Sequence, residues 1–542
     1  MKSRIILILF LLVSQLPVFS ADYSKDNYQK IISIDSGIYE ILDFLILESG
    51  KPPLSAVKPY SEAEIMNIIA QIDREDLSKP GKSSYDEVIA MLDKTPVYAE
   101  DDFAADLSLT TSLELYLHTS DDESQWQYGY EERLPYFTLG AEVWFNEGFY
   151  AVLEPDLMES RFVIENIENN LFNWPKTWGD TNYHFPDRSF FSFGGENWNL
   201  QLGRDQLEYG NGETGKLMLS SYPDFYDFLK LKGFADNFAF TWTYINLESW
   251  SDDDSATRFI SDHAIEVRLL DFITLYVNES ALYYGEESQL QFFNPLTVYH
   301  NLFEHAFIAD ADGDRAGANI YMTLGFNLAP LPGLSLYGEF LLDEFQTFIE
   351  QAEYGDVVNS TPNATAFMLG TKGALPLGPG YLNGFFEWVQ TSPWCYLLDP
   401  VGGKIAWTHR ETTDVLNARA QVIKPIGYEY GPDAMAFEGA LAYDIPGVFD
   451  AELSASYIIK GEHSIETAWT TADNAALLKT PTGVAENRLV IGLTGTYEVF
   501  TFLHTGIDLA WVNIKNYEHI EGSAFNDFQT AVSVIFEVDG LF

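Results

Sequence analysis

The sequence predicts an all-β protein that closes into a barrel of roughly 16–18 antiparallel strands behind a small α-helical bundle. Two observations carry this prediction. The spacing of apolar residues changes at Phe103 from three and four residues to two, and the two-residue spacing recurs to the end of the chain. The 542 residues also include one cysteine, Cys395, so an intramolecular disulfide framework is excluded. A large closed sheet is then the most economical way to hold the chain together.

Residues 1–20 have the features of a cleaved secretory signal. Lys2 and Arg4 precede an apolar run, and Ser20 places a small residue before Ala21. Removal of this segment, which has two basic and no acidic residues, takes the formal charge from −51 to −53. We therefore expect an exported and strongly acidic protein.

Charge and composition exclude several kinds of protein. A charge of this sign repels phosphates, so binding of DNA or RNA is excluded. No apolar run after the signal approaches the roughly 20 residues of a membrane helix. The aromatic content of 15% and the 39 glycines suit strands with one apolar and one polar face.

Residues 21–94 predict the helical bundle. Ser61 and Glu64 form a capping box ahead of a second apolar stripe, and the residues from Val88 to Leu92 mark a third, shorter helix. Residues 95–102 are predicted to be the linker. The first stripe is expected from Ile31, Ile32, Ile34, Ile38, Leu42, Leu45 and Ile46.

Residues 103–542 are predicted to form a barrel that crosses the outer membrane. Five leucines between positions 107 and 117 alternate with polar residues such as Asp106 and Glu114. Many such runs are about ten residues long, as a tilted membrane strand requires. Aromatic residues such as Trp242 stand near strand ends, where interfacial girdles form, and the terminal Phe542 resembles the end of bacterial outer-membrane barrels. These features favour a membrane barrel over a soluble exported β protein.

The segment G-N-G-E-T-G-K-L, which ends at Leu217, is one residue short of a phosphate-binding loop. Leu217 replaces the hydroxyl that would bind Mg²⁺, and no helix follows to supply a dipole. We therefore expect no nucleotide site. Residues 198–207 are predicted to be a membrane strand, the glycines to shape its turn, and residues 217–219 to begin the returning strand, with Lys216 dispensable for folding.

The wider pattern W-x-L-x-L-G-R-D-x-x-x-Y-G-x-G-x-x-G-x-L-x-L-S-S resembles the Wzi family of outer-membrane capsule-assembly proteins. Q-F-F-N-P-L, L-Y-G-E-F and the N-terminal D-F-L-I-L-E-S-G-K-P-P support this resemblance, which covers nearly the whole mature chain. The residues that carry it are Trp198, Leu200, Leu202, Gly203, Arg204, Tyr209, Gly210, Gly212, Gly215, Leu217 and Leu219.

The resemblance implies a bacterial outer-membrane protein whose helical bundle lies in the periplasm and which retains or helps assemble capsular or exopolysaccharide. Its implied partners are outer-membrane lipid, polysaccharide and the barrel assembly machinery. Two alternatives are a passage barrel (a porin or transporter) for a cation or a small apolar compound, and a structural or adhesive surface protein. No nucleophile–base pairing stands out, so the sequence does not predict an enzyme. The acidic charge implies a neutral glycan, a cation-bridged one, or loss of the polysaccharide role.

Two groups of residues are candidates for ligand binding. Trp174, Trp178 and Tyr183 lie in one polar segment between strands, where rings either stack on sugars or pack the loop onto the barrel. Arg204 either ties neighbouring strands together through a carboxylate or contacts ligand.

A third group of residues resembles the opening of a calcium loop. Asp310, Asp312 and Asp314 alternate, as the first ligands of such a loop do. The glycine does not stand at the sixth position, and Tyr321 occupies the twelfth. Both a Ca²⁺ site and a solvated loop fit this pattern, and no other cofactor is expected.

Overall fold

In the computed structural model, residues 27–52, 56–93, 95–100, 102–120, 127–129, 132–161, 171–177, 180–182, 186–250, 257–285, 290–299, 317–344, 363–397, 403–413, 418–468 and 478–539 are described.

Three helices precede the barrel: α1 (Ile38–Ser49), α2 (Glu62–Ala70) and α3 (Lys79–Leu92). The predicted start of α2 is present, because the Ser61 hydroxyl accepts the backbone N–H of Glu64 at 3.3 Å. Leu45 and Ile65 are completely buried where the apolar faces of the helices meet. No helix within the described ranges is long and apolar enough to cross a membrane.

The first and third helices differ from their predicted extents. Ile31 is extended and forms a bridge with Ser61, so α1 begins seven residues after it, at Ile38. The third helix, with 14 residues, is the longest of the three and not the shortest. Its Pro80 stands in the first turn, where an intrahelical N–H is not needed, and the Ser78 hydroxyl accepts the N–H of Gly81 at 3.1 Å.

Eighteen antiparallel strands close into a barrel, within the predicted range. The strands are β1 (Phe103–His118), β2 (Phe137–Phe145), β3 (Phe149–Glu154), β4 (Arg188–Gly195), β5 (Trp198–Asp205), β6 (Tyr226–Ala235), β7 (Phe238–Leu247), β8 (Thr257–Leu270), β9 (Ile273–Gly285), β10 (Gly317–Leu331), β11 (Leu334–Glu344), β12 (Ala364–Leu377), β13 (Gly380–Thr391), β14 (Ala434–Ile445), β15 (Phe449–Lys460), β16 (Glu486–Phe500), β17 (Leu503–Lys515) and β18 (Ala524–Asp539).

Strand β18 closes the barrel by pairing with β1, with Gln529 opposite His118 and Asp539 opposite Ser108. Connections of two or three residues, such as that between β4 and β5, alternate with much longer ones. The barrel therefore has a short-turn rim and a long-loop rim.

Side chains alternate between the outside and the lumen. On β6, Lys230 and Lys232 point inward and are buried, whereas Leu229 and Leu231 point outward. Exposed apolar residues on the outer face form the band that a bilayer requires. This band includes Leu113, Phe191, Leu202, Leu275, Leu324, Phe367, Phe386, Leu453, Leu493, Ile507 and Val532.

The interfacial role predicted for Trp242 does not match its surroundings. The segment 290–299 folds over the outer wall, and the Phe293 ring lies 5.9 Å from that of Trp242 and 4.3 Å from that of Tyr244. Trp242 is consequently buried beneath a loop of its own chain.

Two segments fold inward and pack inside the barrel. One joins β5 to β6 (residues 206–225), and the other, described at residues 392–397, 403–413 and 418–433, joins β13 to β14. Leu217 and Tyr396 are completely buried within this lumenal core. The prediction that residues 217–219 begin the returning strand is wrong, because these apolar side chains pack inside the barrel and β6 begins only at Tyr226.

The helical bundle covers the short-turn rim. The Leu47 carbonyl of α1 accepts the N–H of Gly333 in the β10–β11 turn at 2.6 Å. On β13, the Tyr381 hydroxyl donates to Glu48 at 2.8 Å, and its ring stacks on Phe44. Ahead of α1, the Asn27 amide reaches the β2–β3 turn. The bundle thereby closes one end of a lumen that the inward segments already fill.

Candidate functional site

Residues 210–217, here called the glycine segment, wrap around two carboxylates of the barrel wall. Glu387 on β13 accepts the backbone N–H groups of Glu213 at 2.8 Å and Thr214 at 3.2 Å, and also that of Gly215. Glu339 on β11 accepts the N–H of Asn211 at 2.6 Å. Successive N–H groups in such a turn bind anions in phosphate loops. Here the anions are the protein's own side chains.

Lys216 is held inside the same segment. Its Nζ lies 2.9 Å from Glu208, which also pairs with Lys58 at 3.3 Å, and it donates to the Gly212 carbonyl. Burial alone would raise the pKa of Glu208, but Lys216 and Lys58 lower it to about 2. The lysine is buried and paired, which favours a role in folding over the expectation that it is dispensable.

A cavity of 490 Å³ lies inside the barrel beside this segment. Its walls are the ends of β3, β4 and β5, the residues that precede α1, parts of the β1–β2 and β3–β4 connections, and both inward segments. Residues from six separate parts of the chain therefore meet there.

The lining of the cavity is strongly acidic. Among the described lining residues, ten are acidic and three are basic. Each basic residue is paired: Arg188 with Glu154 at 2.6 Å, Arg133 with Glu159 at 3.4 Å, and Lys216 as above. The basic groups therefore balance neighbouring carboxylates and do not form an anion site.

Hydroxyl groups complete the lining, from Ser33, Thr214, Ser220, Ser221 and Tyr222. Two of the carboxyl groups also have altered acidity. Burial raises the pKa of Asp35, and burial together with the Glu438 carboxylate raises the pKa of Glu429 to about 7. A carboxyl that titrates near neutral pH can donate or accept a hydrogen bond. The cavity therefore suits a hydroxyl-rich or cationic ligand.

Arg204 and Trp174, the two described residues among those predicted to bind ligand, do not line this cavity. Arg204 lies on the outer face, where Nε and Nη2 each donate to Asp227 on β6 at 2.8 Å, and its guanidinium lies 3.6 Å from the centre of the Phe225 ring. This is the geometry of a tie between strands. Trp174 is 53% exposed, and its ring centre is 5.4 Å from that of Tyr136.

The other predicted site residues lie outside the described part of the chain. They are Trp178 and Tyr183 of the aromatic segment and Asp310, Asp312 and Asp314 of the calcium pattern. Their roles stay predictions.

Glu387 and Glu339, the two carboxylates that hold the glycine segment, were not predicted from the sequence. A signal was present, because each stands at an inward position beside aromatic residues, in F-F-E-W and Y-G-E-F. An acid at such a position must find buried donors. The pattern did not indicate which donors these would be.

No protein-family model matches the chain, and no curated protein does. Among solved structures, the Escherichia coli protein Wzi, an outer-membrane protein involved in group 1 capsule assembly and described as a carbohydrate-binding β-barrel, has a TM-score of 0.60 at 12% identity, over 93% of this chain and 99% of that one. OccK3 (OpdO) and OprD of Pseudomonas aeruginosa have TM-scores of 0.40 and 0.39, each at 9% identity over 81% of this chain and 96% of theirs. The likeness to Wzi is one of fold: this chain is a closed β-barrel with the architecture of outer-membrane barrel proteins.

Proposed function

We propose that this protein binds surface polysaccharide at the bacterial outer membrane and retains or helps assemble it there. Its barrel is similar in fold to Wzi, which is described as a carbohydrate-binding barrel. The bundle covers the short-turn rim, which faces the periplasm in bacterial barrels. This arrangement supports a periplasmic location for the bundle and an extracellular location for the long loops.

The observation that carries the proposal is a polar cavity beside the segments that fold into the barrel. The described parts of these segments pack inside the barrel, and the bundle lies across its short-turn rim, so both stand in the path of a solute. The cavity has carboxylates and hydroxyls, which hydrogen-bond to sugar hydroxyl groups. Its volume of 490 Å³ falls in the range of small-ligand sites, about 300–1,000 Å³, so it would take a short stretch of a glycan.

Charge sets a condition on the glycan. An acidic polysaccharide would be repelled by this surface over roughly 8 Å at physiological salt. It should bind only when Ca²⁺ or Mg²⁺ is present, whereas a neutral polysaccharide should bind without either ion.

Binding of the purified full-length barrel to a glycan array tests the proposal. Glu429→Gln together with Ser221→Ala should weaken binding at least tenfold, because a hydrogen bond to a charged group contributes about 1.5–3 kcal/mol. Glu521→Gln, an exposed change in the β17–β18 turn, is the matched control and should bind as the wild type does. Equal binding by the wild type and the double variant would remove the cavity from the site.

A second candidate function is passage of a cation, which the acidic lining of the cavity favours. The two functions differ in one measurement. A binding barrel with a filled lumen should give no stable conductance steps in a planar bilayer, whereas a cation channel should conduct and select cations over anions.

A further inference from the structure

Three carboxylates converge where the helical bundle meets the wall strands β14 and β15. Glu40 projects from α1, and Asp444 and Asp450 stand directly opposite each other at the short-turn end of the two strands. One oxygen from each residue lies within 4.8 Å of the others. Three atoms this close can all lie within about 2.8 Å of a common point, near the 2.3–2.6 Å that calcium–oxygen contacts require.

A second observation indicates that this cluster takes a ligand. Asp444 is only 3% exposed, and its Oδ2 accepts the side-chain amide of Asn383. Its Oδ1 is buried and receives no hydrogen bond from an N–H or hydroxyl group of the described residues, and the neighbours that contact the Asp444 carboxyl in the cluster are the carboxyls of Asp450 and Glu40. A buried carboxylate oxygen without a partner is costly, so a cation at this point would remove the cost.

Along the short-turn rim, the charges near β14 and β15 differ from those elsewhere. We call the part of the rim near these two strands the acidic arc. Elsewhere, opposite charges join the bundle to the wall: Asp43 of α1 pairs with Lys372 at 2.9 Å, and Lys30 pairs with Glu142 at 2.7 Å. Near β14 and β15 the charged groups closest to Glu40 are acidic, and no ion pair reaches Glu40 from the described residues. Like charges destabilise such a contact unless a cation lies between them.

The neighbouring helix meets the same rim with another pair of like charges. Burial and the Glu498 carboxylate of β16 raise the pKa of Glu87 on α3. A Cβ atom at Gly447, in the β14–β15 turn, would lie 2.8 Å from an oxygen of Glu87 and 3.9 Å from one of Glu498. Among the described residues of the acidic arc, no pair of opposite charges therefore joins the bundle to the barrel wall.

We propose that Glu40, Asp444 and Asp450 bind one Ca²⁺ ion, which fastens the helical bundle to the barrel wall. Three carboxylates supply hard oxygen ligands, water completes the shell, and the spacing suits Ca²⁺ better than Mg²⁺, which requires a strict octahedron at about 2.0–2.1 Å. Glu40 is exposed and Asp450 half-buried, so the ion can enter from the short-turn side.

Calcium binding to the full-length protein in detergent tests this site directly. Equilibrium dialysis at about 5 mM CaCl₂, above the roughly 0.1–1 mM dissociation constants of extracellular sites, should find one ion fewer per chain in Glu40→Gln/Asp450→Asn than in the wild type. Asp76→Asn, which removes an exposed carboxylate of the bundle, is the matched control and should bind as many ions as the wild type. Equal numbers in the wild type and the double variant would overturn the proposal, and so would a wild type that binds no calcium.

Proteolysis of the bundle tests what the ion does. Calcium should slow cleavage within residues 27–102 of the wild type at least tenfold, and NaCl of equal ionic strength should not. Glu40→Lys places a fixed positive charge beside Asp444 and Asp450, so this variant should be protected without calcium. Equal protection by NaCl, or a Glu40→Lys variant that is cut as fast as the calcium-free wild type, would contradict the proposed role. Heat-modifiable migration on gels establishes that each variant has a folded barrel. The comparison of the wild type in calcium with the wild type in NaCl does not depend on any variant.

Discussion

Glu387 holds Thr214 by two hydrogen bonds, because its Oε1 accepts both the backbone N–H at 3.2 Å and the hydroxyl at 2.8 Å. Glu387 lies in the barrel wall, and Thr214 lies at the tip of the segment that fills the lumen. The same carboxylate accepts two further N–H groups, from Glu213 and Gly215, and the Tyr337 hydroxyl. This wall residue thus makes five of the hydrogen bonds around the lumenal segment, and Glu339 makes another with Asn211.

The first prediction concerns Glu387→Ala. This change leaves several buried donors without an acceptor, at about 1–3 kcal/mol for each, so the variant should be destabilised by at least about 3 kcal/mol. We expect the barrel to lose its heat-modifiable migration at a lower temperature, and the freed lumen to conduct in planar bilayers. Glu521→Gln should change neither property. A Glu387→Ala barrel as stable as the wild type and silent in bilayers would show that the segment is held by other contacts.

The second prediction concerns the pH dependence of Glu208. Because its pKa is lowered to about 2, the charged form stabilises the fold above the ordinary value of 4.5, and this contribution is lost as the pH falls toward 2. At about 1.4 kcal/mol per unit of pKa, the contribution is about 3 kcal/mol. The difference in unfolding temperature between wild type and Glu208→Gln should therefore shrink from pH 5 to pH 2. A difference that stays constant over this range would contradict the assignment.

The third prediction concerns Lys216. Replacement by alanine leaves Glu208 and the Gly212 carbonyl without their buried donor, although Lys58 still pairs with Glu208. Lys216→Ala should cost about 3–5 kcal/mol, the range for breaking a buried ion pair, and should confer no change in nucleotide binding, which we expect to be absent. Calorimetric binding of ATP that disappears in this variant would revive the phosphate-loop interpretation.

The fourth prediction separates the two roles open to Arg204. If the residue only ties β5 to β6 through Asp227, Arg204→Ala should lower stability by about 1–3 kcal/mol and leave glycan binding unchanged. Asp227→Asn should have a similar effect, because it removes the same ion pair. Loss of glycan affinity in Arg204→Ala, with Asp227→Asn still binding, would assign the guanidinium to the ligand.

The fifth prediction concerns the aromatic segment. Replacing Trp174 and Trp178 together with alanine should weaken glycan binding by roughly 1–3 kcal/mol for each ring that stacks on a sugar, by analogy with stacking on planar ligands. Heat-modifiable migration should be unaffected, since Trp174 is half exposed. Unchanged glycan retention would remove this segment from the site.

Local patterns in the sequence were sufficient to predict most of the wall. In the strand Leu503–Lys515, residues 503–511 alternate because one face meets lipid and the other meets the lumen. The cap of α2 could also be predicted, since the Ser61 hydroxyl accepts an N–H only three residues away. The length of α3 could not be predicted, because the polar residues and Pro80 in its first turn interrupt the apolar stripe.

The lumen could not be predicted in the same way. An apolar run such as Leu217–Leu219 has the same local pattern whether it crosses a membrane or packs inside a barrel. Its partner Tyr396, whose hydroxyl donates to the Leu217 carbonyl at 2.8 Å, lies 179 residues away in the chain. The cavity depends on contacts of this range, which leave no periodic signal.

Binding of the wild-type barrel to a panel of neutral and acidic polysaccharides, each with and without Ca²⁺ and Mg²⁺, tests the proposed function most directly. We predict retention of a neutral glycan in every condition, or of an acidic glycan only when a divalent cation is present. Failure to retain any polysaccharide in any cation condition would contradict the account and favour passage of a cation through the barrel.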